Sequence, residues 1–156
     1  MKILGVDPGT ATTGFGLINK VGHKLSLLDC GVILTSKDLE MPNRLKIIYD
    51  DLAQLVAHHK PDAIAVEKLF FTNNITTAMT VSQARGIILL VASQNNVPIA
   101  EYTPLQVKMS ATGYGKATKK QVQEMVKKIL KLNVIPKPDD AADAIAIAIC
   151  HGANIA

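Results

Sequence analysis

Apolar and polar positions alternate in short runs over the early part of the chain, then give way to longer stripes with helical spacing. Residues 2–7, 13–20 and 24–34 read as three consecutive strands, punctuated by Gly5, Gly9, Gly14, Gly16, Gly22 and Gly31. Turn signals at Asp7-Pro8-Gly9 and Lys20-Val21-Gly22-His23 predict hairpins between them. Leu45, Ile48, Leu52, Leu55 and Val56 then form one helical stripe, predicting a helix over 42–59. Residues 62–67 read as a fourth strand, 75–95 as a helix and 97–100 as a short fifth strand. Helices are predicted over 104–110, 118–131 and 139–152. Thr118-Lys119-Lys120-Gln121 has the spacing of a capping box, and Val122, Met125, Val126, Ile129 and Leu130 follow on one face. A meander of strands followed by α/β crossovers predicts an α/β fold: a mixed five-stranded sheet with helices on both faces.

Composition narrows the class. The chain has 156 residues, 48% of them hydrophobic, which is enough for one domain spanning 1–156 with a sizeable core and argues against disorder. No signal peptide is expected, because Asp7 interrupts the first apolar stretch. The uninterrupted apolar runs near 87–92 and 144–150 are too short to span a bilayer, so no membrane partner is expected. Cys30 and Cys150 fit no metal or redox spacing and read as reduced thiols of a cytoplasmic protein. The net charge of +4 is unevenly spread. Residues 101–137 hold Lys108, Lys116, Lys119, Lys120, Lys127, Lys128, Lys131 and Lys137 against only Glu101 and Glu124, leaving the rest slightly acidic. Such a basic segment suits a polyanionic substrate, although a solvated helix face explains Lys127, Lys128 and Lys131 equally well.

Four acids stand where acids are hard to explain. Asp7 and Glu67 end the apolar runs Ile3-Leu4-Gly5-Val6 and Ala63-Ile64-Ala65-Val66, and Asp140 and Asp143 open an alanine-rich apolar helix. Carboxylates are seldom buried unless paired or holding a metal. If the two strands are neighbours and the helix packs on them, all four converge. Hard oxygen donors of that kind suit Mg²⁺, with Mn²⁺ as a substitute. Two such ions about 4 Å apart can activate water and stabilise the leaving oxygen of a phosphodiester. Taken singly, each acid is equally a turn former or helix cap.

The residues around these acids carry a resemblance. Gly5-Val6-Asp7-Pro8-Gly9-Thr10 with Thr13-Gly14-Phe15-Gly16, Ala65-Val66-Glu67-Lys68-Leu69-Phe70, Ser82-Gln83-Ala84-Arg85-Gly86 and Asp140-Ala141-Ala142-Asp143-Ala144 occur in the order and spacing of one family. Together they resemble the RuvC family of Holliday-junction resolvases over about residues 2–151. The resemblance implies a ribonuclease H-like fold and metal-dependent cleavage of four-way DNA junctions by a homodimer, in recombination and repair. It also implies two Mg²⁺ per subunit, a base-stacking aromatic at Phe70, basic groups near the site at Lys108 and Lys119, and coupling to a branch-migration motor complex. Asp7 and Asp140 would flank the ions, and Glu67 and Asp143 would complete the set.

Other features add candidates. Phe70 and Phe71 are adjacent, so both cannot face one core from a regular strand, and one is expected near the acids. Gly113-Tyr114-Gly115-Lys116 reads as a flexible loop that lets phosphate approach, so Tyr114, Lys116 and Lys120 join the DNA-binding candidates. His151 lies about 80° around an ideal helix from Asp143 and is not expected to bind metal. His23, His58 and His59 read as solvent contacts. Ile87-Ile88-Leu89-Leu90-Val91 is apolar all round its wheel and needs cover on every side, which a second copy could supply; the alternative is complete burial within one subunit. Two rival readings explain less: a ribonuclease H-like nuclease acting on RNA–DNA hybrids or structured RNA leaves the apolar helix and Phe70 unexplained, and an actin-like or sugar-kinase ATPase needs two comparable lobes where one is expected here. The latter would use Asp7-Pro8-Gly9-Thr10-Ala11-Thr12-Thr13-Gly14 as its phosphate loop.

Overall fold

A computed structural model describes residues 1–68 and 75–155. Strands β1 (Lys2–Asp7), β2 (Thr12–Val21) and β3 (Lys24–Leu34) form an antiparallel meander. Helix α1 (Met41–His59) leads to β4 (Ala63–Glu67), and α2 (Ile75–Gln94) leads to β5 (Ile99–Tyr102). Helices α3 (Pro104–Thr112), α4 (Lys119–Ile129) and α5 (Asp139–Asn154) complete the described chain. The sheet order is β3-β2-β1-β4-β5, with β4 parallel to both β1 and β5.

The period-two alternation of strand side chains divides the core in two. Leu4, Val6, Leu17, Ile64 and Val66 point to the face covered by α1 and α2. Ile3, Ile18 and Ala65 point to the face covered by α3, α4 and α5. The same alternation assigns Gly5 and Asp7 of β1, and Glu67 of β4, to the α5 side. Glycine makes that face passable. A Cβ on Gly5 would lie 2.0 Å from the Ala144 carbonyl oxygen, one on Gly14 2.1 Å from that of Asp140, and one on Gly16 2.4 Å from Ile145 Cγ1. Helix α5 therefore lies directly on a strip of bare backbone across β1 and β2. In sequence these glycines had read as punctuation; their use is close helix–sheet contact.

Two boundaries and one inference differ from expectation in ways that have a physical cause. Strand β5 begins at Ile99 rather than at residue 97, because the Val97 amide is still tied to the Ala92 carbonyl at 2.9 Å and Asn96 adopts a left-handed conformation. Helix α4 stops at Ile129, and the chain turns through a left-handed Lys131. The cap at Thr118 is as expected: its hydroxyl accepts from the Gln121 amide and the Gln121 side chain accepts from the Thr118 amide. Helix α2 as a whole is long and apolar enough to cross a membrane, which counting only uninterrupted runs had missed. In the fold it packs instead on α1 and the sheet, with Ala84, Ile88, Val91 and Ala92 fully buried. Its one arginine, Arg85, is ion-paired with Glu101 of β5.

Candidate active site

Parallel pairing of β1 with β4 sets Val6 beside Val66, so Asp7 and Glu67 leave adjacent strand ends side by side. Thr13 secures the turn beyond Asp7: its hydroxyl donates to the Gly9 carbonyl at 2.6 Å. Helix α5 starts directly above, because Gly14, the register partner of Asp7, lies under the Asp140 carbonyl. Asp140 and Asp143, three apart on that helix, present their side chains on one face.

Asp7, Glu67 and Asp143 line a cavity of about 320 Å³ together with Lys108 and Lys119, and its apolar wall is Pro104, Val107, Val122, Ala146 and Ile147. Asp140 stands beside this cavity and contributes through its charge. The electrostatics are those of a carboxylate cluster short of cations. Burial, then the charges of Asp143, Glu67 and Asp140, push the Asp7 carboxyl up to about 7. Burial and then Asp143 raise Glu67, and Lys108 opposes. Burial raises Asp143, offset by the hydrogen bond and charge of Lys119. Lys119 Nζ sits 2.7 Å from Asp143 Oδ2, which explains a lysine in the first turn of a helix, where the dipole disfavours cations.

Oxygen-only donors, mutually repelling and partly buried, fit a hard divalent cation in chemistry and charge. They are not preassembled: among the described residues, no three His, Cys, Asp or Glu side chains are gathered closely enough to hold an ion as they stand. A cation bound at Asp143 would meet the Lys119 ammonium there.

The raised Asp7 has a measurable consequence. Its folded pKa exceeds its unfolded one, so this group disfavours folding increasingly as pH climbs from about 4 to about 7. Without divalent ions, Asp7→Asn is expected to be more stable than the parent at about pH 8, by roughly 2 kcal/mol more than at about pH 5. Urea midpoints of both proteins in EDTA would measure this; a gap that stays constant with pH would show Asp7 to be ionised normally.

Other candidates separate spatially. Tyr114 and Lys120 line a second groove of about 420 Å³, with Thr112, Thr118, Gln121 and Lys128. Lys116 is exposed on the intervening loop. Phe70, with Phe71, lies outside the described residues. His151 Nδ1 is 2.7 Å from the Tyr102 hydroxyl, and burial lowers its pKa. His59, expected to face solvent, is instead paired with Asp29 at 3.0 Å because α1 ends against β3. The apolar wall of the cavity was missed in sequence, since Pro104, Val107 and Val122 look like ordinary core positions until α3 and α4 fold over β4.

Comparison with known proteins adds an independent line. A family model described as crossover junction endodeoxyribonuclease RuvC matches residues 3–151. The protein of that name from Syntrophomonas wolfei is 56% identical over 151 residues, covering 97% of this chain and 88% of the relative. The one from Halothermothrix orenii is 57% identical over 152 residues, covering 97% and 92%. Among solved structures, Thermus thermophilus RuvC in complex with Holliday junction substrate superposes with a TM-score of 0.91 at 36% identity, covering 97% of this chain and 92% of that one. A family match spanning residues 3–151, with relatives at 56% and 57% identity and the same fold, has one consequence: the chain belongs to the RuvC family of crossover junction endodeoxyribonucleases.

Proposed function

We propose that this chain cleaves four-way DNA junctions hydrolytically, as a homodimer that makes paired nicks, with two Mg²⁺ ions per subunit held by Asp7, Glu67, Asp140 and Asp143. The observation that carries the reading is the side-by-side placement of Asp7 and Glu67 beneath the start of α5, in a cavity flanked by lysines. Bound there, divalent ions would neutralise charge at the scissile phosphate and lower the pKa of an attacking water. The chain's own groups divide the remaining work. Lys108 and Lys119, which line the cavity, would meet the phosphate. Tyr114, Lys116 and Lys120 extend that contact along the strand, and Phe70 stacks on a base freed at the crossover. The apolar wall keeps the field within the cavity strong by excluding water. Free Cys30 and Cys150 accord with a cytoplasmic setting.

Helix α2 supports the dimer. Its outer face presents Ile75 at 71% exposure, Met79 at 62% and Leu90 at 46%, with Gly86 open to solvent between them. Two such faces related by a dyad would place two carboxylate clusters on a substrate with near two-fold symmetry. The structure also changes which substitutions test this. Ile88 is fully buried within its own subunit, so a charge there would unfold the protein, whereas Leu90 and Met79 are free to carry one. Leu90→Asp with Met79→Asp is expected to give folded monomers by sedimentation at micromolar concentration. A parent protein that is monomeric with and without junction DNA would exclude the dimer.

Side-by-side cleavage of a mobile four-way junction, a linear duplex and an RNA–DNA hybrid in Mg²⁺ tests the substrate assignment. The junction is expected to be cut at paired sites and the others spared. Preferential cutting of the hybrid would favour the ribonuclease reading.

A further inference from the structure

We propose that Lys119 is a place-holding counter-ion: it occupies the carboxylate cluster while divalent ions are absent, and junction phosphate draws it off, so that DNA binding and metal loading reinforce each other. This rests on the metal reading of the cluster.

The ammonium stands where an incoming cation must go. Lys119 Nζ is 2.7 Å from Asp143 Oδ2, and both side chains line the cavity that holds Asp7 and Glu67. The ion pair with Asp143 ties the ammonium to the cluster. A fixed positive charge there neutralises part of a mutually repelling set, and it repels a second cation at the same oxygens. The carboxylates are not gathered for an ion as they stand, so loading needs a rearrangement. Departure of Lys119 is one such rearrangement. Its side chain is 55% exposed against 29% for Asp143, so the lysine can swing outward while the aspartate stays. The capped first turn of α4 keeps its backbone in place. A DNA phosphate at the cavity mouth offers the competing anion. If phosphate binding frees Asp143, the metal affinity rises, and by linkage the metal strengthens DNA binding by the same factor.

Equilibrium binding of Mn²⁺, followed by the electron paramagnetic resonance of the free ion, tests this without any turnover. In the absence of DNA, Lys119→Met is expected to bind Mn²⁺ about fivefold more tightly than the parent, as removal of a partly exposed competing ion pair implies. Lys119→Gln should do the same, and serves if the methionine variant does not fold. Lys24→Met removes an equal charge from an exposed position at the start of β3 and should leave Mn²⁺ affinity unchanged. A four-way junction with non-hydrolysable linkages at the crossover should tighten Mn²⁺ binding to the parent, and do so less for Lys119→Met. Equal or weaker Mn²⁺ binding by both Lys119 variants overturns the proposal and leaves the metal reading standing. An equal junction effect in parent and variant overturns the coupling. Failure of every form to bind Mn²⁺ overturns the metal reading and this proposal with it.

Discussion

Asp7→Asn is expected to reduce junction cleavage by at least about 100-fold, the scale on which loss of a principal electrostatic stabiliser acts, while junction binding survives. Asp7 is the centre of the cluster: Asp143, Glu67 and Asp140 all act on it, and its carboxyl is pushed up to about 7. Amide replacement preserves the side chain's shape but removes the charge that would draw a divalent ion inward. Phosphate contacts by lysines are untouched, so affinity for the junction should persist and keep its salt dependence. Glu67→Gln and Asp143→Asn should follow closely, because both side chains line the cavity. Asp140→Asn should show the mildest defect of the four, because its charge acts least on Asp7 of the three neighbouring acids. Rates under single-turnover conditions, paired with gel-shift affinities in EDTA, separate the two effects. Full cleavage by Asp7→Asn, or full activity of the parent in EDTA, would remove the metal mechanism.

The second large effect is expected far from any charged atom. Gly14→Ala would place a Cβ 2.1 Å from the Asp140 carbonyl oxygen and 2.5 Å from its carbonyl carbon. Both obstacles are backbone, so no side chain can rotate out of the way. Either the sheet bends or the first turn of α5 lifts, which is overpacking at a cost of about 3 kcal/mol. Lifting that turn also carries Asp140 and Asp143 away from Asp7. The variant should therefore show a lowered urea midpoint and a loss of cleavage larger than its fraction unfolded explains. Gly5→Ala, whose Cβ would meet the Ala144 carbonyl oxygen at 2.0 Å, should lose stability similarly one turn further along the helix. An unchanged midpoint for Gly14→Ala would mean that α5 does not rest on β2.

Much of this was legible in the linear pattern, for physical reasons that can be named. Strand and helix periods are local properties, and every strand and helix expected from them is present. The capping box at Thr118 is likewise local, since its hydrogen bonds join residues three apart. The unusual acids were conspicuous because Asp7 and Glu67 interrupt apolar runs that otherwise continue into the core. Parity along β1 and β4 even determines which face each acid takes, once the burial of its neighbours is known. Where the reading slipped, long-range partners were responsible. His59 finds Asp29 across thirty positions of chain, and the start of β5 depends on how α2 ends. Arg85, conspicuous in an apolar helix, finds its partner Glu101 only when β5 is laid against β4.

By itself the amino-acid order determined the element types, the identity of the four acids and the basic character of the segment over α3 and α4. Each of these is carried by neighbours in sequence or by residue chemistry alone. Tertiary structure decided how those pieces meet. The strand order β3-β2-β1-β4-β5 makes Asp7 and Glu67 neighbours. The bare backbone of Gly5, Gly14 and Gly16 lets α5 come close enough for Asp140 and Asp143 to act on them. The fold also turned Lys119 from a basic group expected near the site into the partner of Asp143, and Ile88 from an interface candidate into core. Distance is the reason: a Coulomb interaction or a packing contact acts over a few ångströms, and only the folded chain says which residues lie that near.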